Sequence, residues 1–437
     1  MVKKRVPKHN TEFKKEKHRR PRLLWATAFC LLDTSSGASI SVRQMLSQLV
    51  FNGFEVEVLG ATIFDSEKGQ TRLPDNWRAM TGKDELILVN DYPLEHKLLI
   101  TEHASRFRMT AKEEDLWYAL YVKALDTFKP DLVWFYGGLT LDLLISDEAR
   151  QRGIPCAAYL ANSTYMGLRW CRDVDLVITN SQANADFYKR KAGITSFPVG
   201  IFIDPETVRP LEYTRQNLLF INPSVEKGAV LVIQLAMLLE KKRPDIQLEV
   251  LESRGNWQEL VKEVTAHYGC QREELDNVLV TPNTNDMCPV YARARVLLVP
   301  SLWWESAGRV VAEAMLNAIP AIVTDRGGLP EMLGNGGFKF NLPEVFYEKP
   351  YNKFPKNEFL EPIVDLIIKL YDDDVFYSDY VSRARHAGET FHRLDNCTRK
   401  LMDAFRPFVE QLAGDNIDRF DPERSNKHGL NKFIGML

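Results

Sequence analysis

Two glutamates, Glu305 and Glu313, have seven residues between them, and a lysine–glycine pair, Lys227-Gly228, and a glycine pair, Gly327-Gly328, occupy loops on either side of them. Carboxylates accept hydrogen bonds from the paired hydroxyls of a sugar, whereas an ammonium and glycine amides suit a diphosphate. Together they point to a site for a sugar joined to a diphosphate. Acidic residues are common on exposed helices, so the glutamates alone would equally fit a solvated helix face.

The segment Val299–Glu331 shows how the chain would position these groups. Val296–Val299 is a short apolar run, long enough for a buried parallel strand and ended by Pro300-Ser301. The spacing of Val310, Val311, Ala314, Met315 and Ala318 predicts a helix from about Ala307, with Ser306 as its N-cap and Gly308 in the first turn. Asn317 and Pro320 close it. Ala321–Val323 is a second short strand, and Asp325-Arg326-Gly327-Gly328 is the loop beyond its carboxyl end, the rim at which open α/β sheets bind ligands. Both glutamates fall near the positive end of the helix dipole.

Upstream, Leu218–Ile221 predicts a strand, followed by Asn222 to Gly228 and a helix from about Ala229 to Lys241, so that Lys227-Gly228 opens a helix directly after a strand. Gln247–Leu251 is the next strand, with Arg254 and Gly255 in its loop; Val278–Val280 and a helix over Cys288–Ala294 follow. After Leu333 the chain reads as helical, over Pro362–Tyr371 and Arg393–Leu412. In the first half, a strand over Leu23–Leu32, a small-residue loop Asp33–Ala38 holding Gly37, a helix over Ile40–Phe51 and a strand over Val56–Leu59 open a Rossmann-like unit. Gly37 is a single glycine and makes no G-x-G-x-x-G fingerprint, which disfavours dinucleotide binding. A helix over Lys112–Phe128 and the strands Leu132–Tyr136, Cys156–Leu160 and Leu176–Thr179 follow, with Gly137-Gly138 at the end of the first of these. Those two glycines serve either close approach to a ligand or a plain turn. Asn180-Ser181 would cap the helix Gln182–Lys191 rather than act as a catalytic pair.

Read together, P-S, E-x-x-G-R-V, E-A-M, P and G-G-L-P-E around the two glutamates resemble the signature of glycosyltransferase family 4, retaining enzymes of the GT-B fold. The resemblance implies an α/β architecture of two Rossmann-like domains facing across a cleft, with a C-terminal helix returning to the first. It implies an N-terminal acceptor domain over residues 23–204, a linker over 205–217, a donor domain over 218–390 and a crossing helix over 391–414. It further implies that Lys227 stabilises the leaving diphosphate and Glu305 orients the transferred sugar. Glu313 would take the ribose diol, and Gly308, Arg309, Val310, Gly228, Arg254, Gly327 and Gly328 would surround the donor. Gly37, Gly137 and Gly138 would face the acceptor side. The family's usual arginine five positions before the lysine is replaced by Asn222; Arg309 and Arg326 are the cations available to compensate. The donor would be a UDP- or GDP-sugar, with no cofactor or metal required, and the acceptor a glycan, a lipid or a small molecule. A sugar-nucleotide epimerase or hydrolase and a non-catalytic nucleotide-binding relative remain alternatives on the same fold.

At 437 residues and 45% hydrophobic content, the chain has material for two domains. A net charge of −3 argues against a general nucleic-acid binder. The six cysteines form no C-x-x-C pair, the eight histidines show no ligand spacing, and Asp372-Asp373-Asp374 reads as a helix boundary rather than a metal site. The longest apolar stretch is about half of the ~20 residues that cross a bilayer, so a soluble, cytoplasmic protein is expected. Residues 1–22 are a basic arm that is either a solvated tail or a peripheral contact with the inner membrane surface; residues 415–437 form a polar tail.

Overall fold

A computed structural model describes residues 19–80, 86–137, 140–165, 167, 169–253 and 255–413. In the first half of the chain the elements are β1 (Arg22–Ala26), α1 (Gly37–Phe51), β2 (Glu55–Ala61), β3 (Leu86–Asp91), β4 (Leu94–Leu99), α2 (Ala111–Phe128), β5 (Leu132–Tyr136), α3 (Thr140–Gln151), β6 (Cys156–Leu160), β7 (Leu176–Thr179), α4 (Gln182–Ala192) and β8 (Phe197–Pro198). The second half holds β9 (Asn217–Ile221), α5 (Ala229–Lys242), β10 (Leu248–Leu251), α6 (Trp257–His267), β11 (Val278–Thr281), α7 (Cys288–Arg293), β12 (Ala294–Val299), α8 (Arg309–Leu316), β13 (Ala321–Thr324), α9 (Leu329–Leu333) and β14 (Gly337–Phe340). Three helices follow: α10 (Asn357–Asp372), α11 (Asp374–Phe391) and α12 (Leu394–Ala413).

Among the described residues these strands make two sheets, ordered β3-β4-β2-β1-β5-β6-β7-β8 and β11-β10-β9-β12-β13-β14. All pairs are parallel except β3 with β4. The central strands, such as Leu132–Tyr136, are buried throughout because helices cover both sheet faces, which is why they read as unbroken apolar runs. Strand order reverses between β1 and β5 in one sheet and between β9 and β12 in the other. Diverging connections at such a switch point leave a crevice beyond the carboxyl ends of the strands.

The last helix ties the halves together. Cys397, Leu401, Ala404 and Phe405 of α12 join the core around Leu23, Trp25 and Trp134, and the Phe405 ring meets Trp134 edge-on at 5.1 Å. Burying the Phe405 ring alone is worth about 1.5–3 kcal/mol. Residues 209–216 lie along the second unit, with the Thr214 amide donating to the Ala292 carbonyl at 2.8 Å and the Arg215 guanidinium to the Asn317 carbonyl at 2.7 Å.

Several local expectations are corrected. The first strand ends at Ala26, because the chain from Thr27 to Leu32 turns instead to bond the loop after β2, through Cys30 N to Ile63 O at 2.9 Å. Gly37 is the first residue of α1, capped by Ser36, not part of the preceding loop. The hairpin β3–β4 lies between elements that sequence periodicity marks, and the strand β14 interrupts the helical reading after Leu333. Asp373 caps α11, while Asp372 and Asp374 pair with Arg243 and Arg295, so that acidic run ends one helix and begins another. No helix among the described residues is long and apolar enough to cross a membrane.

Candidate active site

The crevice between the two sheets is a cleft of about 830 Å³. Asn222, Lys227, Glu305, Gly308, Arg309, Val310 and Glu313 line it on one side, and Gly37 on the other. Asn222 leaves β9 at φ +63°, and Gly228, at φ +83°, turns the chain into α5 immediately after Lys227. This sharp exit points the Lys227 side chain across to the loop after β12.

There the Lys227 ammonium is ion-paired with Glu305, whose Oε1 also accepts from the Ser301 hydroxyl at 2.7 Å. Glu305 is only 9% exposed, so its geometry is determined by protein partners rather than by water. Glu313, 5% exposed, is held from both sides: Arg309 Nε donates to Oε1 at 2.7 Å and the Tyr291 hydroxyl to Oε2 at 2.5 Å. Burial and the adjacent carboxylate push the Tyr291 phenol well above its ordinary range, so it remains a donor at neutral pH. With Oε1 of Glu305 taken by Lys227 and Ser301, its Oε2 is the oxygen that faces a ligand hydroxyl, while each Glu313 oxygen retains a second lone pair.

Arg309 does more than hold Glu313. Its Nη1 donates to the Phe202 carbonyl at 2.8 Å and to Ser41 Oγ on α1 at 3.2 Å, tying the donor-side helix to the opposite wall. Ser306 belongs to the same seam. Expected as the N-cap of α8, it instead donates its hydroxyl to the Ala161 carbonyl at 2.8 Å and receives the Asn180 amide at 2.9 Å; Gly308, at φ +112°, occupies the cap position. Ser181 caps α4 and also donates to the Ser306 carbonyl. The Glu331 carboxylate accepts from the Gln182 and Ala183 amides at 3.0 and 2.9 Å, meeting the N-terminal end of that helix.

The glycines divide by what sits beside them. A side chain at Gly327 would place its Cβ 1.8 Å from the Glu305 carbonyl oxygen, one at Gly328 2.6 Å from Ala307 Cα, and one at Gly228 2.1 Å from the Pro300 carbonyl oxygen. These three let loops pack closely behind Glu305 and Lys227, and the side on which a Cβ would stand faces those loops. Gly137 likewise makes room for the Trp170 ring, 2.5 Å from where its Cβ would be, rather than for a ligand. Gly37 does face the cleft, with Arg309 Cδ 3.9 Å from where its Cβ would be. Gly138 and Arg254 lie outside the described residues.

The Arg326 guanidinium lies over the rings of Tyr347 and Trp304, at 4.2 and 5.7 Å, and is not among the cleft-lining residues. Arg309 lines the cleft, with its Nε and Nη1 engaged by Glu313, Phe202 and Ser41. The cleft holds three cations that no sequence motif marked: Arg43 on α1, Arg72 in a short turn after β2, and Lys349 after β14. Asn283, Thr284, Asn285 and Met287 line its other end, where Asn285 Nδ2 reaches across to Thr71 Oγ1 at 2.9 Å.

Residues 214–349 match the family described as glycosyl transferases group 1. Comparison with curated proteins yields no match. Among solved structures, the chain is similar to sucrose-phosphate synthase from Thermosynechococcus elongatus at 15% identity and a TM-score of 0.64, over 90% of this chain and 100% of that one. It is similar to a glycosyltransferase from Rickettsia africae ESF-5 at 13% identity and a TM-score of 0.62, over 90% and 100% of the two chains. It also resembles Anabaena Alr3699/HepE, solved in complex with UDP-glucose, at 14% identity and a TM-score of 0.59, over 91% and 100%. At such identities the likeness establishes the fold. The chain thus has the GT-B fold, and residues 214–349, the segment that matches the group 1 glycosyl transferases, supply the Lys227, Glu305 and Glu313 wall of the cleft.

Proposed function

We propose that the protein transfers a sugar from a nucleoside diphosphate sugar, UDP- or GDP-linked, to an acceptor hydroxyl with retention of anomeric configuration. The observation that carries this reading is the convergence of Lys227, Ser301 and Glu305 with a second, separately clamped carboxylate, Glu313, on one wall of a single cleft. A hydrolase or an epimerase would need a water-activating or proton-abstracting base, and neither glutamate is free to act as one, since Glu305 is ion-paired and Glu313 is doubly bonded.

When the bond between the anomeric carbon and the diphosphate breaks, negative charge grows on the leaving oxygen. Lys227 is the cation placed to offset it, and an interaction that strengthens with that charge lowers the barrier rather than only tightening binding. Glu305, oriented by Ser301, holds hydroxyls of the transferred sugar, and Glu313 accepts from the ribose diol. The acceptor oxygen bonds to the anomeric carbon on the face the diphosphate leaves, and its proton passes to the departing phosphate oxygen. No metal is needed for this step.

The test is a screen of UDP-, GDP- and ADP-sugars for thermal stabilisation and for nucleoside diphosphate release, with and without glycan, lipid and small-molecule acceptors. Lys227→Ala is expected to lower kcat by about 10²–10³-fold and Glu305→Ala to abolish turnover, with the product anomer read by NMR. Absence of any donor response would overturn the reading; an inverted anomer would overturn retention alone.

A further inference from the structure

Opposite the donor wall, Arg43 and Arg72 line the cleft and converge on one carboxylate. Arg43 Nη1 donates to Asp91 Oδ2 at 3.3 Å, and Arg72 Nη1 donates to Asp91 Oδ1 at 3.2 Å. Two guanidiniums therefore share a single counter-charge. Among the described residues each engages one hydrogen bond, although a guanidinium carries five N–H donors. Arg309 is more heavily engaged, since it makes three such bonds, to Glu313, Phe202 and Ser41.

The pair is also built in place. Asp91 ends β3, and behind it His96 on β4 is wholly buried, its Nε2 3.7 Å from Asp91 Oδ2. Burial holds the His96 imidazole below its ordinary pKa despite Asp91, so it adds no positive charge at neutral pH. Burial also works against the Asp91 carboxylate, and the neighbouring His96, Arg43 and Arg72 outweigh it and hold it ionised. Arg43 is strained electrostatically: burial lowers its pKa, Asp91 offsets part of this, and the charges of Arg72 and Arg309 add to it. The other acid on this wall, Asp65, is exposed and screened by solvent. Planar forks with unspent donors are the side chains suited to phosphate and carboxylate.

We infer that Arg43 and Arg72 form an anion subsite on the acceptor side of the cleft, so that the acceptor carries a negatively charged group, a phosphate ester or a carboxylate, within reach of the hydroxyl that receives the sugar. This rests on the glycosyltransferase reading above. It assigns the substrate class that the reading leaves open, and it uses residues more than a hundred positions from the donor motifs.

Two measurements on the full chain test it. Calorimetric titration with glucose 6-phosphate, glucuronate and glucose should give binding to one or both anions and none to glucose. Arg72→Ala, whose side chain is 40% exposed and whose truncation spares the core, should weaken anion binding roughly tenfold, the size of one charge-assisted hydrogen bond. Arg72→Lys, which retains charge without the fork, should fall between. In transfer assays with the donor found active, the phosphorylated or uronate acceptor should be preferred, and Arg72→Ala should raise its KM by a similar factor. A preference for the phosphate over the uronate assigns the ester; the reverse assigns the carboxylate. Equal use of neutral and anionic acceptors, or an unchanged anion affinity in Arg72→Ala, overturns the inference while leaving glycosyl transfer standing. Arg72-dependent anion binding with no response to any donor leaves the subsite standing and overturns the glycosyltransferase reading instead.

Discussion

Replacing Gly327 with alanine should disable the site from behind, without touching any group that meets a ligand. The residue has φ +59°, and its Cβ would lie 1.8 Å from the Glu305 carbonyl oxygen, 2.8 Å from its carbon and 3.0 Å from its nitrogen. Left-handed backbone costs an alanine about 1–2 kcal/mol. Reopening the contact to the 3.0 Å that a real Cβ tolerates requires a backbone shift of at least about 1.2 Å, since the neighbours are main-chain atoms with no rotamer to give way. That shift also strains the hydrogen bond from the Gly328 amide to the Glu305 carbonyl, now 2.8 Å, worth about 1 kcal/mol. The expected destabilisation is therefore about 2–3 kcal/mol. Activity should suffer more, because a displacement of about 1 Å at a positioning group costs on the order of 10²-fold in rate, and here Glu305 moves relative to Lys227. Urea unfolding and steady-state kinetics on Gly327→Ala measure both effects. Gly53→Ala is the control: φ is +97° with nothing within 4 Å of the added methyl, so it should show backbone strain with normal kinetics. If Gly327→Ala retains full activity, or loses no more than Gly53→Ala, the packing of this loop does not position Glu305 and the reasoning fails.

Two other outcomes are expected. Tyr291→Phe removes the 2.5 Å hydrogen bond to buried Glu313 and leaves Arg309 as its remaining side-chain partner, so donor KM should rise by about 5–30-fold, equivalent to 1–2 kcal/mol; an unchanged donor KM would remove Glu313 from donor recognition. Burial lowers the pKa of His96 and His392 in the folded protein, so between those values and the ordinary 6.5 the unfolded chain binds more protons and stability falls as pH drops below about 6.5. Each contributes a slope of up to about 1.4 kcal/mol per pH unit; denaturant midpoints at pH 7.5, 6.5 and 5.5 should decline, with the decline reduced in His392→Phe.

Much of the architecture was legible in short stretches of the chain. Leu132–Tyr136, Cys156–Leu160 and Leu176–Thr179 are strands at the bounds their apolar runs predict, because parallel strands covered on both faces need little besides continuous hydrophobicity between turn residues. The places of Lys227, Glu305 and Glu313 around one rim were legible too, since each follows directly from a strand–loop–helix exit. The hairpin β3–β4 was less legible: Leu94–Leu99 mixes Glu95, His96 and Lys97 among its leucines, and only its neighbours in the sheet explain which of these is buried.

What the amino-acid order determined by itself was the set of local exits: where a strand must stop, where a helix must begin and which polar group lies between them. Tertiary structure alone decided what those groups meet. Ser306 has the makings of a helix cap and becomes a tie to Asn180 and Ala161, Gly327 makes room for the Glu305 backbone from the loop after the next strand, and Arg43 and Arg72 come together on Asp91 from separate elements. The difference is physical. Backbone exits depend on torsions and neighbours a few residues away, whereas charge pairing and close packing depend on distances between segments that only the folded sheets bring together.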